Sequence, residues 1–75
     1  MSALLEFQCV LFGGIPAGAT RKTLRWLHRQ HLHRAAMRSQ QPLEISPAAH
    51  LDQAARCRRA MSVLAARAAQ LQFAK

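Results

Sequence analysis

Acidic residues are nearly missing from this chain. Glu6, Glu44 and Asp52 are its only carboxylates, and no two of them sit at helical spacing. A paired-carboxylate acid–base site therefore has no seat. Cysteine is scarce too. Cys9 and Cys57 are too few for a disulfide framework, and their spacing fits no zinc motif, so buried thiols are expected. Neither has a His–Asx arrangement beside it that would activate a nucleophile. Aromatics are limited to Phe7, Phe12, Trp26 and Phe73, and none interleaves with the arginines as a base-stacking platform would require. Long apolar runs are also absent. The stretch from Ala3 to Ala19 is interrupted by Glu6, Gln8, Gly13, Gly14 and Pro16, whereas a spanning helix needs about 20 mostly apolar residues. The basic flank follows that stretch instead of preceding it, so no signal peptide is expected. These absences together predict a chain that is not an enzyme and carries no cofactor.

Positive charge is what the sequence has in excess. Eleven Lys and Arg against three acids give net +8. Arg21, Lys22, Arg25, Arg29, Arg34 and Arg38 follow one another with no acid among them, and Arg56, Arg58, Arg59 and Arg67 add a second group. Such a chain is drawn to nucleic acid, an anionic membrane surface or an acidic protein face. Hydrophobic residues make up 51% of it, so it is no disordered polar tail. Much of that fraction is alanine, which favours helix but buries little area. A chain of 75 residues is one domain at most, and its thin core makes a larger protein partner or self-association an expectation.

Punctuation divides the chain into an apolar arm with a Gly/Pro loop at 1–19 and a helical hairpin at 20–75. Residues 1–12 read as a short helix, capped by Ser2 and closed by Gly13, or as an apolar arm; alternation at Phe7, Cys9 and Leu11 would also suit a strand, which would have no ladder partner. Thr20 sits where an N-cap belongs, and a helix from about 21 to about 40 is expected, ended by Pro42. Ser46-Pro47 starts a second helix, from 47 to about 72, with no internal Gly or Pro. The fold class is all-α, an antiparallel hairpin with a short connection.

The second helix carries the clearest pattern. Ala54, Cys57, Met61, Leu64, Ala68 and Leu71 recur at alternating spacings of three and four, a heptad seam flanked by Leu51 and Ala65. Such a seam either packs within the hairpin or docks a partner. On the first helix, Leu24, Leu27, His31 and Ala35 share a face, with His28 and Leu32 beside them. Arg21, Lys22, Arg25 and Arg29 form a basic face with His33. Trp26 lies off the apolar face, where it either packs under the N-terminal arm or anchors a partner. His28, His31 and His50 invite a metal reading, but structural zinc sites usually take four ligands with cysteine prominent, and no metal is expected. A pH-sensitive basic face is the expected role of the imidazoles. Gly13 to Gly18 has the two glycines of a phosphate-binding loop without the Lys and Ser/Thr that must follow directly.

A basic first helix, a short loop and a Pro-led second helix with an alanine-rich seam resemble the small co-chaperones that hold type III secretion needle subunits. Pro47, His50, Cys57 and Leu64 fall where that plan wants a helix start and seam residues, and the resemblance covers about residues 21–71. It implies a co-chaperone-like component of a bacterial secretion system. The apolar arm and the strong positive charge depart from the pattern. The sequence thus predicts a non-catalytic basic adaptor that binds a larger protein through its seam and basic face. A nonspecific nucleic-acid-binding protein is the alternative, and a peripheral membrane protein is a further one. A cytoplasmic location is expected, with a mitochondrial one left open by the Arg-rich helix.

Overall fold

A computed structural model of the chain describes residues 3–37 and 40–73. Its elements are α1 (Ala3–Phe12), α2 (Arg21–Ala35) and α3 (Pro47–Phe73). α2 and α3 pack closely as a hairpin, with α1 laid against α2. The outline is long and thin, 51 × 24 × 13 Å.

Each helix begins and ends for a local reason. α1 lies where the sequence allowed a helix, a strand or an arm. It stops at Gly13, whose φ of 90° takes the left-handed turn that closes a helix and whose N–H bonds to the Cys9 carbonyl at 3.0 Å. Its proposed cap, Ser2, lies outside the described residues. The Thr20 hydroxyl accepts from the Thr23 N–H at 3.3 Å, an N-cap for α2. The Ser46 hydroxyl does the same for the Ala49 N–H at 3.1 Å, and Pro47 occupies the first turn of α3.

α2 is shorter than the expected span to about residue 40. It ends at Ala35, with the Ala36 and Met37 amides drawn back to the His33 and Arg34 carbonyls at 3.1 and 3.2 Å in tight final turns. The connection is correspondingly longer. Pro42 does not stop the helix directly; it sits in a turn closed by the Glu44 N–H to the Gln41 carbonyl at 3.1 Å. Leu43 follows with a φ of 68°, the left-handed position of a turn led by proline and one that glycine usually fills. The loop is then pinned to the N-terminal helix, because the Ile45 N–H bonds to the Leu11 carbonyl at 2.9 Å.

The core is small and sits at the junction of all three helices. Cys9, Val10, Leu27 and Cys57 form its apolar cluster, with Leu24 and Ala54 also buried. Across the hairpin His31 meets His50, Leu27 and Cys57 share the apolar cluster, and Leu24 lies across a groove from Ala60, Val63 and Leu64. That order is antiparallel, and it sets how far α2 reaches along α3. α2 has 15 residues and α3 has 27, so the last turns of α3 extend past the end of their partner.

Candidate interaction surfaces

The heptad seam of α3 is divided by that difference in length. Ala54 and Cys57 are buried against α2. Met61 and Leu64 are half-buried, and Ala68 and Leu71 are exposed, Leu71 at 73%. The flanking Leu51 is exposed at 54%, and Ala65 is exposed as well. One stripe therefore serves as core in its first half and as surface in its second.

Where the stripe emerges, an open groove of about 450 Å³ runs between the α1–α2 loop and α3. Ile15, Pro16 and Leu24 form one wall, Ala60, Val63 and Leu64 the other, and Arg67 stands at its end. The loop is held to α3 by the Gly14 N–H, which donates to the Gln53 side-chain carbonyl at 3.0 Å. Gly13 is required beside it: a Cβ there would approach the Gln53 Cδ to 3.2 Å, on a backbone already at positive φ.

The basic face is continuous. Arg21, Lys22, Arg25 and Arg29 are all exposed along the side of α2 that turns away from α3. Trp26 belongs to the edge of this face, 37% exposed, where it lines a cleft with Glu6, Lys22 and Thr23. Trp26 thus borders α1 across this cleft and remains partly open to solvent.

A buried polar chain is the feature that sequence reasoning missed. Glu44, its side chain fully enclosed, accepts from Arg34 Nε at 2.8 Å and from Arg34 Nη2 at 2.6 Å. It also accepts from the Gln41 N–H at 2.8 Å and pairs with His50 Nε2 at 2.7 Å. His50 Nδ1 lies 2.9 Å from His31 Nδ1, with both residues fully buried. With both rings neutral the order is fixed. The ionised carboxylate takes the His50 Nε2–H, leaving His50 Nδ1 to accept from the His31 Nδ1–H. His31 Nε2 is then a bare acceptor, and it has no hydrogen-bond partner among the described residues. The chain from Arg34 to His31 links α2, the connecting loop and α3.

These contacts reverse the expected role of the imidazoles. Burial, then the neighbouring His50 and His28, holds the His31 pKa down at about 4, so this ring is a neutral core group and not part of a titrating surface. His33 remains exposed. The Arg34 hydrogen bonds, opposed by burial and helped by the Gln41 amide and His50, hold Glu44 at about 2. The sign for His31 follows from linkage. The unfolded ring binds a proton below about 6.5 and the folded ring only below about 4, so stability should fall as pH drops between those values. His31→Gln, which keeps a donor for His50 but does not titrate, should flatten that limb of a plot of melting temperature against pH. An unchanged slope would remove His31 as its cause.

Among the described residues, no group of three or more His, Cys, Asp or Glu side chains is placed to hold a metal ion. His50 does approach His31, as the metal reading required, but the contact is a hydrogen bond between rings. Cys9 and Cys57 are free thiols, both buried, and burial pushes both pKa values up and away from reactivity. No helix is long and apolar enough to cross a membrane among the described residues. No protein-family model, curated protein or solved structure matches this chain.

Proposed function

We propose that this protein is a non-catalytic helical adaptor or accessory subunit that binds a larger protein. The observation carrying this reading is the uncovered half of the α3 seam, from Met61 to Leu71, continued by the groove beside Leu64. A seam of this spacing accepts an apolar helix stripe from a partner. Arg67 at the groove end favours a partner helix that brings a carboxylate to that end. A second copy of the chain fits less well, because each brings a net charge of +8. A co-chaperone of a bacterial secretion system would be one instance of such an adaptor. Affinity capture with the tagged chain, followed by mass spectrometry, tests the reading. A partner captured through an apolar seam should stay bound as salt rises.

The exposed stripe of Arg21, Lys22, Arg25 and Arg29 favours one second reading, nonspecific binding of nucleic acid. Its contacts would be phosphate-led, so duplex binding should fade between about 50 and 200 mM salt. Tight sequence-specific binding that survives such salt would displace the adaptor reading.

A further inference from the structure

α1 is apolar on both of its sides. Its inward side carries Cys9 and Val10, packed with Leu27 and Cys57, and half-buried Glu6, its one charged residue, beside Lys22 and Trp26. Its outward side carries Leu5, Phe7 and Phe12, exposed at 44%, 52% and 52%. Ile15 continues the patch into the loop at 39%. At about 100° per residue, Phe7, Leu11, Phe12 and Leu5 span roughly 160° of the helix circumference, with exposed Gln8 among them. A surface helix ordinarily turns polar residues outward, and a contiguous exposed apolar patch marks a docking site.

We propose that this face docks on an anionic membrane surface. α1 would lie in the plane of the interface with Leu5, Phe7 and Phe12 among the upper acyl chains, while α2 meets the lipid phosphates. The placement of α2 fits this occupant. Thr23 faces α1 across their shared cleft. Moving outward from Thr23 round α2, Trp26, Lys22 and Arg29 come up in turn, and Arg25 follows. A tryptophan between an apolar patch and a cationic stripe is the arrangement expected at the headgroup level. Carboxylates do not oppose the docking: Glu6 is turned inward, the Glu44 side chain is enclosed, and Asp52 belongs to α3. This surface touches the groove beside α3 only at Ile15, and Phe7 and Phe12 lie outside that groove, so changes at these two positions test the proposal independently of partner capture.

The test is flotation of the purified full chain with vesicles of phosphatidylcholine containing phosphatidylserine, against pure phosphatidylcholine vesicles. Emission from Trp26, the single tryptophan, should shift to the blue on the anionic vesicles only. Because Phe7 and Phe12 are exposed, Phe7→Ser with Phe12→Ser should keep the helical circular dichroism and weaken binding on the order of tenfold or more. Replacing Lys22, Arg25 and Arg29 with Gln should weaken it about a hundredfold, near fivefold for each cation lost. The proposal is overturned if the chain does not float, if neutral vesicles bind it equally, or if the double Phe variant binds as the parent does. It is overturned as well if the Phe changes instead alter the sedimenting mass in the absence of lipid, which would make α1 a protein interface.

Discussion

Glu44→Ala should lower the melting temperature by about 15–30 °C at neutral pH. The carboxylate accepts four hydrogen bonds inside the loop, and removing it strands the Arg34 guanidinium and the buried His50 Nε2–H together. Breaking a buried pair from one side costs about 3–5 kcal/mol, because the remaining charge keeps its desolvation penalty. A chain of this length holds on the order of 4–11 kcal/mol in total. For a domain this small, each kcal/mol moves the midpoint by about 4–8 °C. Glu44→Gln, which keeps one acceptor oxygen, should lose less. The contribution of Glu44 is present above the ordinary carboxylate range, near 4.5, and is lost as pH falls towards about 2. The gap between parent and Glu44→Ala should therefore close over the same interval. Thermal melts followed by far-UV circular dichroism give both results. A midpoint within about 5 °C of the parent would show that the polar chain does not hold the loop.

Leu64→Glu should abolish partner capture while leaving the protein folded. Leu64 is half-buried in the wall of the groove, so a carboxylate there can reach water when the protein is alone. In a complex it would be sealed beneath an apolar stripe, at a cost of several kcal/mol or more. At about 1.4 kcal/mol per tenfold, capture should fall at least a hundredfold. Ala54→Glu, ten residues earlier on the same stripe, should behave differently: Ala54 is buried against α2, and a charge there should unfold the chain. Arg59→Glu, exposed and off the seam, should leave helicity unchanged. Capture assays and melts on the three variants separate the two halves of the stripe. Partner capture by Leu64→Glu at the parent's level would remove the seam as the binding surface.

The hairpin was legible in the sequence because its signals are local. Thr20, Ser46 and Pro47 act on backbone groups within one turn, and the spacing of Leu24, Leu27 and His31 is enough to identify the buried face of α2. The seam was legible as a pattern but not in its division, because the register between the helices decides how far along α3 the N-terminal end of α2 at Arg21 reaches. Thr20 marked where α2 begins, but the length of the connection, set by α2 stopping at Ala35, fixes which residues of α3 lie opposite it. The His31–His50–Glu44–Arg34 chain left a weaker trace. His31 and His50 could be placed near each other from the hairpin, but Glu44 stands in a loop beside Pro42, ten residues from Arg34, with no periodicity to link them. An acid in an otherwise basic stretch was the only available signal. The outward turn of the apolar residues on α1 was hidden for a related reason: a ten-residue apolar helix does not reveal which side its neighbours will cover.

The overhang of α3 gives one helix two kinds of backbone. Through Ala54 and Cys57 its amides lie beneath packed side chains and should exchange hydrogen only when the hairpin opens as a whole. Beyond Ala65 the same ladder has helix-favouring alanines but no tertiary cover, so its amides should exchange through fraying, at rates rising turn by turn towards Phe73. A ligand seated on that end would suppress the fraying, and the gradient of exchange along α3 would level out. Amide exchange along this one helix therefore measures occupancy of its free end without any need to identify the occupant beforehand.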